Sequence, residues 1–349
     1  MYFTEAIKEA HLLNLAENKK SIVMGLGMSY PSEGLAKKFP NQVFDTPASE
    51  AAITGMAVGL ASQGYRPMVV HGRTEFALLA MDQILTQASR WNYMFGGNYS
   101  CSISLRVAIG RQWGNGPQHT ANYHSIFLQA PSLDVFIPST PKEIFEHLRF
   151  MSTNNNPSVL LEHRWLYKSR QNFPIDNKPI LKVPICSIYK ENNSSDILIV
   201  TYADGLIDAL KAQKILKQNN VFVTVLNVSS FPANNRVNKK IVNFIKDFKR
   251  VLFVDTAPIE FGLLSSLSGL VSLTGSINNL FYYLSPPHKP CPTSPSLSKN
   301  YYITYYDIVK KIFNLLKVNF NGLEKPTFNE LNLWPEFDFT DYDAINFYS

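Results

Sequence analysis

The stretch VFDTPASEAAITGMAVGLASQGYRPMVV, Val43 to Val70, reads as strand, helix and strand. VFDTP is strand-like and Ser49 is a good helix N-cap residue. Ala51, Ala52, Ile53, Met56, Ala57 and Leu60 then recur at helical spacing, and RPMVV closes the unit as a second strand. The alternation continues outward on both sides. Strand-like SIVMGLG precedes it; the helical run FALLAMDQILTQASR, strand-like SISLRVAIG, a polar loop, strand-like LDVFIPS, the helical KEIFEHLRFMST and strand-like SVLLEHR follow. Strands alternating with helices predict an α/β fold, a mostly parallel sheet covered on both faces.

A Pro- and Asn-containing stretch then breaks the rhythm and reads as a linker. Beyond it ILIVTYADG, IDALKAQKILK, VFVTVLNVS, a lysine-bearing helix and RVLFVDTAP repeat the alternation, so a second, smaller parallel sheet is expected. The division is a first domain over residues 1–175, a linker over 176–195, a second domain over 196–317 and a tail over 318–349. In the tail Glu324, Glu330, Glu336, Asp338, Asp341 and Asp343 face only Lys325, with aromatics interspersed. Such a segment is either loosely ordered or laid across a surface.

Composition bounds the function classes. The chain has 349 residues, 45% hydrophobic and 17% charged, enough for two real cores. Its formal charge of +6 and pI near 9.0 are mildly basic. The lysines lie on amphipathic helices such as NKKIVNFIKDFKR, where Ile241, Phe244, Ile245 and Phe248 form the buried face. With no nucleic-acid motif or arginine-rich patch, nucleic-acid binding is not implied. Cys101, Cys186 and Cys291 show no metal or disulfide spacing. The N-terminus is acidic and helical in spacing rather than a signal peptide, and no apolar run spans a bilayer. A cytoplasmic protein with no membrane partner is expected.

Glu50 stands alone at the head of a helix of small residues. A first-turn carboxylate is favoured by the helix dipole, which accounts for most such residues. Here Ala51, Ala52, Gly55, Ala57, Gly59 and Ala61 leave little bulk, so a backbone or flat ligand can approach and strip water from the acid. A desolvated carboxylate needs a specific partner.

Four segments in order, DTPASEAAITGMAVGLASQGYRPMVV, EFALLAMDQILTQASRWNYMFGG, GNGPQHTANYHSIFLQAPSLDVFIPSTP and PSVLLEHRWLY, resemble the β subunit of the 2-oxoacid dehydrogenase first component. This is a transketolase-like family dependent on thiamine diphosphate. VMGLGM, AMDQ, YMFGG and GRxWGxGPQH look closer still to uncharacterised β-like proteins found beside bacterial surface-sugar genes. The resemblance covers about Met1 to Leu316. It implies a transketolase-like pyrimidine-binding domain followed by a transketolase C-terminal-like domain.

It also gives Glu50 its partner. In the family the glutamate of D-T-P-x-S-E hydrogen-bonds N1′ of the cofactor pyrimidine and favours the imino tautomer that takes the thiazolium proton. Phe76, which alone would read as a core phenylalanine at a helix start, matches the aromatic that packs on the pyrimidine. His119, in G-P-Q-H-T, matches the histidine at the substrate end of the cofactor, as proton donor or substrate-orienting group. His71 and Arg73 depart from the hydrophobic residues usual there. They either bind an anionic or hydroxylated substrate or pair with Glu75 or a partner chain. The segment after Gly27 and the loop before His119 are shorter than in the dehydrogenases.

The family's Gly-Asp-Gly segment, which holds Mg²⁺ and the diphosphate, is missing. The nearest text, Ala203-Asp204-Gly205, is better read as a strand-to-helix turn. The other half of the site must therefore come from an α-type chain, in a heterotetramer of two α and two β chains by family analogy. The expected reaction is cleavage beside the carbonyl of a 2-oxo acid with acyl transfer to a lipoyl group, on a lipoyl-domain acyltransferase. A transketolase-type carboligase acting on an aldehyde or sugar, and a non-catalytic structural or regulatory subunit, are the alternatives.

Overall fold

The computed structural model describes residues 1–27, 34–111, 115–191, 195–235, 239–274, 279–320, 322–327 and 334–348. β1 (Ser21–Gly25) lies between β2 (Val43–Asp45) and β3 (Arg66–His71), with Val23 opposite Val43 on one side and Met68 on the other. The helix Glu50–Ser62 therefore carries the chain from β2 past β1 to β3, a crossover that skips one strand. Glycine is required at the end of β1: a Cβ on Gly25 would fall 2.6 Å from the Val70 carbonyl oxygen.

β4 (Ser104–Ile109), β5 (Asp134–Phe136) and β6 (Ser158–His163) extend this sheet in parallel, in the order β5-β6-β4-β3-β1-β2. All six residues of β6 are buried, as expected of a strand covered on both faces. On one face the helices Phe3–Glu17 and Pro141–Thr153 pack together. They are joined by Arg149, whose buried guanidinium reaches Glu17 at 2.8 Å and Asn14 at 2.7 Å.

The second sheet is built on β7 (Pro184–Tyr189), β8 (Ile197–Thr201) and β9 (Thr224–Val228). β10 (Ser230–Phe231) leaves it to pair antiparallel with β5 of the first sheet. β11 (Arg250–Val254), β12 (Leu280–Leu284) and β13 (Ile345–Tyr348) complete the order β12-β11-β8-β9-β7-β13. Four of these strands are parallel, while β7 and β13 are antiparallel additions. β7 falls within the stretch expected as a linker. Its six residues are all buried, but Pro and Asn around it conceal the strand from a periodicity argument.

The described part of the tail is laid across the surface. Arg170 meets Asp338 at 2.8 Å, Phe339 is 1% exposed, and β13 pairs with β7. The run expected as one helix over FALLAMDQILTQASR is helical with a changed pitch. It is α over Thr74–Ala77, 3₁₀ over Leu78–Ala80, π over Asp82–Ala88 and α again over Ser89–Met94. Thr86 Oγ1 donates to the Asp82 carbonyl at 2.7 Å, a side-chain bond that competes with the regular ladder. Among the described residues no helix is long and apolar enough to cross a membrane.

Glu143 lies buried where the two sheets meet, accepting from the Ser139 N–H at 2.7 Å and Asn227 Nδ2 at 2.9 Å. Burial pushes its carboxyl from 4.5 up to about 7, against the pull of those donors. A folded-state pKa above the unfolded one gives stability that is present below the unfolded pKa and lost as pH rises through the folded value. Stability is therefore expected to fall between about pH 4.5 and 7, and Glu143→Gln to flatten that dependence. Urea midpoints at pH 4.5 and 8 check this; an equal slope in the variant would exclude Glu143 as its source.

Candidate active site

The candidate residues sit on three loops that leave the carboxyl ends of β2, β3 and β4, where ligands gather in parallel α/β sheets. Glu50 is the first residue of the helix that follows β2. Ser49 holds the N-cap position, but its side chain makes no capping bond, so the hydroxyl does not fix the helix start. What holds the preceding loop is the Thr46 N–H, which donates to the Gly25 carbonyl at 3.1 Å. Glu50 is half-buried rather than enclosed: the residues before it are exposed, and so are Ala52, Met56 and Gly59 on the outer face of its helix.

His71 ends β3, is 3% exposed, and is hydrogen-bonded through Nε2 to Thr54 Oγ1 at 3.1 Å. Burial lowers its pKa to about 4, partly opposed by the Glu50 carboxylate, so the imidazole is neutral at pH 7 and an electrostatic neighbour of Glu50. Thr54 was not singled out from sequence. The available signal was a lone polar residue on the apolar face, one helical turn after Glu50.

Arg73, half-exposed, precedes the helix Thr74–Ala77. Burial and the nearby Arg164 guanidinium lower its pKa, and Glu75 raises it. Phe76 is 39% exposed on a chain whose core phenylalanines are nearly all buried. Its ring stands edge-on to His119, with centroids 5.5 Å apart at 71°. Glu75 clips the two loops together by accepting from the Ala121 N–H at 2.9 Å. The geometry thus brings Phe76 to His119 and Glu50 to His71.

The His119 loop is also held from the second sheet. Asn122 Nδ2 donates to the Thr256 carbonyl at 2.8 Å. His124, fully buried, meets the Tyr202 hydroxyl at 2.8 Å, and that hydroxyl donates to Asp255. Because the tyrosine proton goes to the carboxylate, the neutral imidazole must donate to Tyr202. No spacing rule brings residues 124, 202 and 255 together, and none was expected from sequence.

An exposed ring, a half-exposed carboxylate and a helix face of small residues fit the pyrimidine half of thiamine diphosphate. Ala203-Asp204-Gly205 does not open toward its other half: Asp204 is 2% exposed, with Oδ2 3.0 Å from Arg111 Nε and Oδ1 3.3 Å from His163 Nε2. The segment following Gly27 and the residues Gln112, Trp113 and Gly114 of the polar loop lie outside the described residues.

Comparison with known proteins points the same way. The family profile described as transketolase, pyrimidine binding domain, matches residues 3–170. The pyruvate dehydrogenase E1 component subunit beta of Staphylococcus aureus is 30% identical over 235 residues, 65% of this chain and 72% of that one. The acetoin:2,6-dichlorophenolindophenol oxidoreductase subunit beta of Cupriavidus necator is 27% identical over 272 residues, 77% of this chain and 79% of that one. A solved structure described as a split gene transketolase, inactive beta4 tetramer, superposes with a TM-score of 0.71. It has 18% identity, covers 91% of this chain and 99% of that one, and so speaks for the fold alone.

Proposed function

The chain belongs to the transketolase-like family of E1 β subunits, and from that premise we propose that it is the pyrimidine-binding half of a two-chain thiamine diphosphate enzyme acting on a 2-oxo acid. The observation that supports the reading is that Glu50, Phe76 and His119 lie on three loops leaving the same end of the first sheet, with Phe76 against His119 and Glu50 beside His71. Thiamine diphosphate, when bound, supplies the carbon nucleophile and the electron sink for cleaving the bond next to the carbonyl.

The roles of this chain's residues follow from where they stand. Glu50 holds a proton in exchange with the pyrimidine N1′, in a setting that a covering partner chain would dry further. Phe76 offers its exposed ring face to the pyrimidine, and the His119 edge contact limits how that ring can turn. His119 faces the substrate end and donates a proton or orients the carbonyl. His71, tied to Thr54 and neutral, and Arg73 set the shape and charge of the substrate side. An α-type chain holds Mg²⁺ and the diphosphate, and two chains of each kind form the heterotetramer. The acyl group passes to a lipoyl arm in a cytoplasmic complex. Its setting is reducing, in keeping with three free, buried cysteines.

Calorimetry tests the division of labour. The isolated chain is expected to bind thiamine diphosphate at least about a hundredfold more weakly than the pair reconstituted with its α chain, since metal and backbone donors to the diphosphate are lost. Tight Mg²⁺-dependent binding by the isolated chain would overturn the two-chain reading.

A further inference from the structure

A cleft of about 470 Å³ opens between residues 117–125, beyond β4, and the segments that follow β11 and β12 of the second sheet. We propose that it binds a small neutral polyol, recognised by its hydroxyl donors and its C–H faces. None of Glu50, His71, Arg73, Phe76 or His119 lines it, so the proposal stands apart from the thiamine reading.

Two buried acceptors on residues of its wall lack partners. Asn122 Nδ2 donates to the Thr256 carbonyl at 2.8 Å, and because a carbonyl only accepts, this bond fixes which way the amide points. The other amide atom, Oδ1, is buried and has no hydrogen-bond partner among the described residues. Two residues further on, His124 is fully buried, and its Nε2 donates to the Tyr202 hydroxyl, whose own proton goes to Asp255. Asp255 also accepts from the Ala257 and Leu264 N–H groups at 3.0 and 3.3 Å, which anchors this relay in the second sheet. The direction of donation leaves Nδ1 of His124 with a lone pair and no hydrogen, and it too is buried without a partner among the described residues. Burial lowers the pKa of the ring to about 4, so Nδ1 stays unprotonated at neutral pH. Buried acceptors are normally satisfied, and leaving one unmet costs free energy. Two on one short segment, both on residues lining the same cleft, suit a ligand with at least two donors.

The rest of the lining narrows the ligand. Among the described lining residues Glu260 is the only carboxylate and Lys289 the only lysine or arginine, and both are exposed. The two offset each other, so the cleft favours neither an anion nor a cation. Tyr123, 40% exposed, and Tyr301, whose hydroxyl donates to the Lys289 carbonyl at 2.8 Å, add aromatic rings. The negative faces of such rings suit the weakly positive C–H groups of a polyol, while its hydroxyls donate to Asn122 and His124. Because both acceptors are already held by the second sheet, little ordering remains to be done on binding.

Ligand-observed NMR and calorimetry on the isolated wild-type chain test this without cofactor, partner or turnover. Either myo-inositol or D-ribose is expected to bind saturably at one site, with an affinity insensitive to salt because the ligand is uncharged. Cyclohexanol, with one hydroxyl on an apolar ring, should bind at least about fivefold more weakly than the tighter polyol, the factor attached to one lost hydrogen bond. His124→Phe keeps a ring beside Tyr202 but removes Nδ1, and Tyr123→Ala removes an exposed ring. Each is expected to weaken binding at least about fivefold. Glu260→Gln should stay within about threefold, since the ligand brings no charge to that exposed carboxylate. Circular dichroism confirms that each variant is folded. No saturable binding of either polyol, with water alone serving both acceptors, would overturn the proposal. So would tighter binding of ethanolamine or acetate, or unchanged affinity in the folded His124→Phe chain, with Tyr123→Ala deciding should that chain not fold.

Discussion

Glu50→Gln is expected to lower the turnover of the reconstituted α/β pair by about 10²- to 10⁴-fold, the range attached to losing a positioned proton-transfer group. Glutamine keeps the shape and hydrogen-bonding length of the side chain but cannot exchange a proton, so the substitution isolates that one property. The competing account is that Glu50 merely complements the helix dipole as the first residue of Glu50–Ser62. That account predicts a slight loss of stability and no effect on turnover. Thermal unfolding of the isolated chain and steady-state rates of the pair separate the two. A variant that folds like the wild type yet turns over within tenfold of it removes Glu50 from the mechanism.

Arg111→Met is expected to destabilise the fold by about 3–5 kcal/mol, the cost of leaving buried charges without their partner. Arg111 follows β4 in the first sheet and is 4% exposed. Its guanidinium lies 3.0 Å from both Asp204 and Asp208 at the start of the helix Gly205–Gln218, and stacks on the Trp165 ring at 3.6 Å. The two carboxylates are themselves buried, and burial raises the Asp208 pKa against the pull of Arg111. With Arg111 gone, both acids lose their arginine countercharge, while the His163 ring near Asp204 and the Tyr305 N–H on Asp208 stay beside them. The Asp208 pKa, already raised by burial, then loses the opposing pull of Arg111, and a raised acid's contribution is lost as pH rises and regained as it falls. The deficit in urea unfolding is therefore expected to be largest near neutral pH and to shrink as pH falls. A deficit under about 1 kcal/mol, or one independent of pH, would show that the cluster does not couple the two sheets.

Strand–helix alternation made the α/β class and most strands legible, because a strand buried on both faces is written as a continuous apolar run. β7 and β13 escaped it. Their places in the second sheet depend on antiparallel pairing between residues some 160 apart, such as Ser187 with Asn346, which local spacing cannot encode. The π-helical turn over Asp82–Ala88 escaped for a similar reason, since its apolar spacing still reads as helix.

At the candidate site, sequence motifs in order nominated Glu50, Phe76 and His119, while His71 and Arg73 stood out as departures from the family pattern. Motifs are short-range, and each names a residue on one loop. Which loops meet was decided by the order β4-β3-β1-β2, by Glu75 clipping the Phe76 loop to the His119 loop, and by Asp255 holding that loop through Tyr202 and His124. The sequence by itself determined the family and the fold class, and it nominated candidate chemistry-bearing residues. Only tertiary structure decided that Ser49 leaves its helix uncapped, that Asp204 is committed to Arg111, and that Asn122, His124 and Tyr301 share one cleft. The physical reason is common to all three. Secondary structure follows from periodicity along the chain, whereas hydrogen-bond partners and local fields depend on distances through space between segments far apart in sequence.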